Sequence, residues 1–299
     1  MTTTTSVAKV GAAADTSVRR RNPLARFGVH AIVIFLMVIW LLPTIGLLVN
    51  SFRPEQDVAS TGWWQGLFNP TGLTLENYQE VLAQNGIGQA FINSLFITIP
   101  ATIIPIAVAS FAAYAFAWME FPGRNVLFVV VVGLLVVPLQ TTLIPILRLF
   151  ANFGINGQFL ALWLAHTGYG LPFAIYLLRN YMGSLPREVF ESAAIDGASP
   201  VVSFFRLALP MSVPAIAALA IFQFLFVWND LLVALIYIGA SNSENLPLTV
   251  AVSNMVSSLG NGWQLLGAAA FLSMALPLAV FFALQRYFVR GITGGAVKG

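Results

Sequence analysis

The sequence predicts an all-α integral membrane protein of six transmembrane helices interrupted by one polar cytoplasmic loop. Three observations carry this. Hydrophobic residues make up 58% of the 299 residues and charged residues only 8%, against roughly one quarter charged in a soluble domain. Mean hydropathy is +0.84. The few charges are spaced so that they delimit long uncharged runs. A chain of this length could bury a large soluble core, but it lacks the charged surface such a core needs. The absence of cysteine rules out a disulfide framework and thiolate metal sites. The net charge of +3 is not gathered on any polar domain, so nucleic acid is not an indicated partner.

The elements follow in order. Between Arg26 and Arg53 lie 26 residues without a formal charge, enough to cross ~30 Å of hydrocarbon at ~1.5 Å per residue. Similar runs separate Glu80 from Glu120, Arg124 from Arg148, Arg148 from Arg179, Arg206 from Asp230, and Glu244 from Arg286. They place helices at 27–50, 90–118, 125–147, 158–181, 209–236 and 264–286. Prolines fall inside them (Pro43, Pro100, Pro105, Pro138, Pro145, Pro172, Pro214, Pro277). Bundled membrane helices tolerate these where neighbours satisfy the freed carbonyls.

Orientation follows from the basic residues. With the N-terminus inside, the cytoplasmic face receives Lys9, Arg19, Arg20, Arg21, Arg26, Arg124, Arg179, Arg187, Arg206, Arg286, Arg290 and Lys298, while the outside keeps Arg53 and Arg148. That asymmetry is a positive-inside signature and makes both termini cytoplasmic. The arginines before the first apolar run resemble a signal peptide, but the run exceeds a usual h-region of ~7–15 residues and lacks a small-residue cleavage site. Residues 1–26 read as a disordered cytoplasmic tail, 27–286 as the membrane domain and 287–299 as a second cytoplasmic tail. The longest outer segment, 51–88, carries Trp63 and Trp64 among Glu55, Asp57, Glu76 and Glu80. The tryptophans suit an interfacial belt, with contact to an external partner as the other reading.

Residues 182–208 break with their surroundings. Pro186 suits the first turn of a short helix over 187–195, Asp196-Gly197 interrupts it, and Ser199-Pro200 restarts a helix as N-cap and first residue. Phe204, Phe205 and Leu207 supply an apolar face. The product is an elbow whose small residues (Ala193, Ala194, Gly197, Ala198) admit another backbone, with Arg187, Glu188, Glu191, Asp196 and Arg206 available for ion pairs. An amphipathic linker lying in the interface is the plainer reading of the same residues.

The run ESAAIDGA followed by FxxxLP resembles the EAA loop of ATP-binding-cassette importer permeases, with Glu191, Gly197 and Pro210 at its defining positions. Ser192 stands where that family has alanine. Asn93-Ser94, Trp228-Asn229-Asp230 and the ending QRYFVRGITGGAVKG are similar to the carbohydrate-uptake, maltose-type branch, and with the six-helix plan resemble the second permease of its pair. The resemblance implies a type I importer fold and a coupling helix seated in a cytoplasmic ATPase, formed by Arg187, Glu188, Glu191, Ala193, Ala194, Asp196, Gly197, Ala198, Arg206 and Pro210. It implies a second homologous permease, two ATPase subunits, an extracytoplasmic sugar-binding protein and surrounding lipid of a bacterial inner membrane. ATP and magnesium would sit on the ATPase and no cofactor on this chain. Neither Lys9 nor Lys298 follows a glycine, so there is no phosphate-binding loop.

Weaker candidates follow. Gln223, Trp228, Asn229 and Asp230 could line a sugar path by amide bonding and stacking, with interhelical packing as the default. The Gly/Ser/Asn-rich loop 237–263 reads as a flexible connector or, by resemblance, as a binding-protein contact through Asn242, Glu244, Asn254 and Asn261. Gly294, Gly295 and Lys298 would lie along the ATPase interface, or fray. His30 and His166 lack a second-ligand pattern, so no metal site is expected. Arg148 suits a lipid headgroup. A stand-alone secondary transporter of a small polar solute is the alternative, although the helix centres hold almost no ionisable residues for ion coupling. No nucleophile–base pattern suggests an enzyme. The sequence does not name the sugar.

Overall fold

The computed structural model describes residues 23–83, 86–239, 242, 244–258 and 262–296, and among them the regular structure is entirely helical. Helix α1 (Pro23–Ser51) is followed by short α2 (Glu55–Ser60), α3 (Gln65–Phe68) and α4 (Glu76–Ala83), then by the 32-residue α5 (Ile87–Trp118). Next come α6 (Arg124–Gly133), α7 (Leu139–Asn152) and α8 (Phe159–Met182). The polar island holds α9 (Arg187–Ile195) and α10 (Pro200–Ser203), and a π turn over Phe204–Ala208 leads into α11 (Leu209–Met211). The chain finishes with α12 (Val213–Trp228), α13 (Leu232–Tyr237), α14 (Leu248–Ser258) and α15 (Trp263–Ala296). Four helices (α1, α5, α8, α15) are long and apolar enough to cross a membrane unbroken, and two bent pairs bring the spans to six. Of the described residues, those up to Gly46 form one compact unit and those from Leu47 onward a second.

Five expectations need correction. The third span is not one helix over 125–147: α6 passes through a 3-10 turn at Leu134–Val136 and meets α7 at 102°. Pro138 explains the break, because it cannot donate to the preceding turn and holds Val137 extended (φ −71°, ψ 118°). The fifth helix, expected over 209–236, instead starts upstream at Pro200, bends by 71° and stops at Trp228. There the Asp230 carboxylate accepts from the backbone N–H groups of Val233 (3.2 Å) and Ala234 (3.0 Å), which starts α13 separately. The supposed connector 237–263 contains α14. The last helix runs past 286 to Ala296, and residues 23–26, assigned to the N-terminal tail, are already helical.

Helix α5 packs along α8, and α12 packs against α5 and α15. The contact faces are rich in buried alanine (Ala101, Ala109, Ala113, Ala161, Ala165, Ala174), the small residues that let membrane helices approach closely. Outside the spans, Arg53 is only 3% exposed. Its guanidinium donates to the Asn50 side chain (3.0 Å), to Asp57 O (2.9 Å) and to Thr61 Oγ1, so it is a structural clamp on the 51–61 turn. Asn77 on α4 donates to the carbonyls of Ser51 and Arg53, both at 2.9 Å, and fastens α4 to the same turn.

The prolines inside the spans organise the core. A proline removes the N–H that would bond the carbonyl four residues earlier. Pro100 thus frees Phe96 O, and the Trp163 indole of α8 donates to it at 3.1 Å. Pro105 frees Ala101 O, which accepts from Gln223 Nε2 of α12 at 3.2 Å. Pro277 frees Ser273 O, and the Trp228 indole donates to it at 2.9 Å. Each missing intrahelical bond is replaced by a bond between helices. Gly170 leaves room for the Gln223 amide, since an added Cβ would lie 2.7 Å from its Oε1.

Two outcomes are expected. Gln223→Leu should destabilise the chain by about 1 kcal/mol, within the range of single interhelical bonds in membranes. In a Pro105→Ala background the restored N–H satisfies Ala101 O, so the same change should cost less than half as much. SDS unfolding titrations in mixed micelles give both values, and equal costs would refute the replacement. Gly170→Ala should lower the melting midpoint in detergent relative to Gly168→Ala, where an added Cβ meets nothing within 4 Å. Both gain the same helix propensity, so the difference isolates the clash.

Candidate functional site

The 187–210 segment folds as an elbow whose corner is set by local hydrogen bonding. At the end of α9 the Gly197 N–H donates to Ala194 O (3.1 Å) and the Ala198 N–H to Ala193 O (2.9 Å). This pair of bonds is the Schellman closure, which requires a left-handed residue at the position Gly197 occupies. Its φ is +78°. Two residues on, Ser199 Oγ accepts from the Val202 N–H at 3.3 Å and starts α10, with Pro200 as its first residue.

Aromatic side chains fix the elbow to the bundle. Phe190 of α9 stacks on Trp118 at the end of α5 (3.9 Å between centroids, 20° between planes). The Trp118 indole also donates to Met182 O at the end of α8 (3.0 Å). Phe204 stacks on Phe111 (4.6 Å) and meets Tyr114 edge-on (5.3 Å), both on α5. The opposite face of the elbow is open. Arg187, Glu188, Glu191, Ala194, Asp196, Gly197, Arg206 and Pro210 are exposed, and Ala193 and Ala198 half-buried. Sequence reasoning passed over one feature of that face: Ile195 is 86% exposed and Val201 64%. Both apolar side chains stand open beside the charged residues of that face. This feature was legible only once Phe190, five residues before Ile195, was known to face inward.

The other candidates are scattered. Gln223 (7% exposed) and Trp228 (3%) are buried with their donors on carbonyls of neighbouring helices. Asn229 is exposed and donates to Leu225 O at 2.8 Å. Asp230 Oδ2 lies 3.7 Å from Nε2 of the buried His166, and the Asp230 carbonyl accepts from Thr249 Oγ1 at 2.6 Å.

At the end of the bundle away from the elbow, Asn242 and Asn245 both donate to Gly157 O (2.9 Å each). Asn93 donates to Glu244 O (2.9 Å) and Leu246 O (3.1 Å), and Ser94 Oγ accepts from the Leu248 N–H (2.7 Å). The Glu244 side chain is exposed, and Asn254 lies on α14. Asn261 and Lys298 fall outside the described residues, whereas Gly294 and Gly295 are within α15.

Comparison with known proteins places this architecture. Residues 105–294 match the family described as binding-protein-dependent transport system inner membrane component. The chain is 58% identical to the osmoprotective compounds uptake permease protein GgtD of Synechocystis, over 90% of this chain and 91% of that one. It is 41% identical to the alpha-glucoside transport system permease protein AglG of Rhizobium meliloti, covering 94% and 99%. Its fold is similar to a chain of a bacterial ABC transporter involved in the import of the acidic polysaccharide alginate (TM-score 0.78, 18% identity, 90% and 98% covered). The six-span, elbow-bearing architecture is therefore the type I importer permease fold, and the chain belongs to the family of multi-pass inner membrane components of binding-protein-dependent ABC importers.

Proposed function

We propose that this chain is the permease subunit of a sugar importer, forms half of the translocation path, and transmits ATPase closure to the membrane through the 187–210 elbow. The observation that carries this reading is the two-sided elbow. One face is locked to α5 by Trp118–Phe190 and Phe111–Phe204 stacking, and the other presents small, charged and apolar residues around Gly197 and Ile195. An element rigid on one side and complementary to a partner on the other transmits rigid-body motion.

The partner is a cytoplasmic ATPase that carries ATP and magnesium, present in two copies. Arg187, Glu188, Glu191 and Arg206 pair with its charges, Ala193, Ala194, Asp196, Gly197, Ala198 and Pro210 shape the seat, and Gly294, Gly295 and Lys298 lie along the ATPase interface. The positive-inside bias supports the orientation, with both termini cytoplasmic. A second homologous permease faces the break in the third span. Residues 133–138 are exposed with Val136 at 82%, about 15 Å along α6 from Arg124. Irregular backbone at such depth is tolerated only against protein or water. Asn229 is exposed while Gln223 and Trp228 are committed to packing, so Asn229, beside Asp230, is the group of Trp228-Asn229-Asp230 assigned to the path. On the outer side Asn242, Glu244, Asn254 and Asn261 meet the sugar-binding protein. The alpha-glucoside relative supports a sugar as solute.

Purification from native membranes in mild detergent, followed by mass spectrometry, tests the assembly: a second permease and an ATPase are expected. Recovery of the chain alone would overturn the reading. Gly197→Leu tests the elbow. No atom of the chain lies within 4 Å of an added Cβ there, so the fold pays only the left-handed strain of ~1–2 kcal/mol. Uptake is expected to fall by roughly 30-fold, the effect of losing one interface hot spot, with membrane insertion unchanged. Ile195→Ser should weaken ATPase retention on size-exclusion chromatography to a similar degree. Normal uptake in both variants would remove the elbow from the mechanism.

A further inference from the structure

We propose that α5 is a rod that registers the outer segment 244–248 against the coupling elbow, with Asn93 and Ser94 as its positioning residues at the outer end. This rests on the permease reading above for which end faces which partner, but its geometry stands on the chain alone.

At the outer end the grip is specific. Gln89 Nε2 donates to Asn93 Oδ1 (3.0 Å) and orients the amide. Asn93 Nδ2 then donates to two carbonyls of the same loop, Glu244 and Leu246, and Ser94 Oγ takes the Leu248 N–H. Both side chains are 4% exposed, so water does not compete for these bonds. Within five residues the loop makes three bonds to one turn of one helix. At the inner end Trp118, Tyr114 and Phe111 of the same helix hold α9 and the π turn. From Ser94 to Trp118 the rod spans ~36 Å at ~1.5 Å per residue.

Two prolines in its middle would ordinarily soften such a helix. Here α5 continues unbroken through Pro100 and Pro105, and Trp163 and Gln223 occupy the two carbonyls those prolines free. Both freed carbonyls are held from α8 and α12, so a displacement at one end moves the other. The loop is also tied to Gly157 through Asn242 and Asn245, and to Asp230 through Thr249. Those ties bypass α5, which gives the internal control.

The test is amide hydrogen exchange on the full chain, purified with its accompanying subunits and placed in lipid nanodiscs. Ser94→Ala removes one hydroxyl and keeps the helix. It is expected to raise exchange in the loop and, ~36 Å away, to raise exchange of the 187–195 amides about 5-fold, the lower end of ordinary coupling between sites. Ser94→Thr restores the acceptor and should return both to wild type. Asn242→Ala loosens the same loop from the Gly157 side and should leave 187–195 unchanged. A Ser94→Ala effect confined to 242–255, or an equal far-end effect from Asn242→Ala, would overturn the rod. Neither outcome depends on uptake, so failure here is distinguishable from failure of the elbow's coupling role, which Gly197→Leu reports.

Discussion

A hydrocarbon interior offers no hydrogen-bond partner, so every main-chain polar group must find one within protein. Most of this structure can be read as the consequence of that constraint acting on a proline-rich sequence. Phe96, Ala101 and Ser273 lose their ordinary partners to Pro100, Pro105 and Pro277. Trp163, Gln223 and Trp228 replace them from neighbouring helices. These bonds link α8 and α12 to α5, and α12 to α15. In lipid, apolar contact alone gives little preference for one helix neighbour over another. A donor aimed at a freed carbonyl does, because the alternative is an unsatisfied group. The prolines thus select neighbours as well as bend helices.

The same constraint separates the stiff from the yielding parts of the chain. Bending a continuous helix breaks backbone bonds, and here α5 and α8 stay whole. The third span turns by 102° beside Val137–Pro138, and the fifth turns by 71° beside Ser212. Ser212 is fully buried at the second bend. The elbow joins these two regimes. Its aromatic face attaches to stiff α5, and its chain continues through the π turn and Pro210 into the bent fifth span.

Much of this was legible in the sequence, and the reasons differ by element. The six spans followed from charge spacing, because charges are too costly at membrane depth to be placed casually. The elbow was read to the residue: α9 over 187–195, the glycine corner at 197 and the Ser199 cap all follow from backbone chemistry that depends only on neighbours in sequence. What failed was non-local or concerned polar residues acting within a span. Pro138 broke its helix whereas Pro100 and Pro105 did not, and donors from neighbouring helices stand on the two carbonyls that Pro100 and Pro105 free. Asp230 stops α12 by holding the Val233 and Ala234 N–H groups, while the residues beyond it remain apolar enough to pass for more helix. The stretch 237–263 read as a flexible connector because it is rich in Gly, Ser and Asn. The side chains of Asn242 and Asn245 instead meet Gly157, while Asn93 and Ser94 hold the backbone of residues 244–248, partners more than 80 positions away.

The chain also carries demands that it does not meet alone, and their placement argues for an assembly. The irregular backbone at 133–138 is exposed, although in a bilayer it must be covered by protein or water. Ile195 stands almost free on an elbow whose charged neighbours would hold it out of lipid. No lysine follows a glycine in the sequence, so it carries no phosphate-binding loop of the GxxxxGK[ST] kind. The first demand calls for a membrane partner, the second for a soluble one, and the third for an energy source outside this chain. The proposed second permease beside the third span and the proposed ATPase beneath the elbow would answer all three. A self-sufficient transporter of the same fold would leave the break and Ile195 without a purpose.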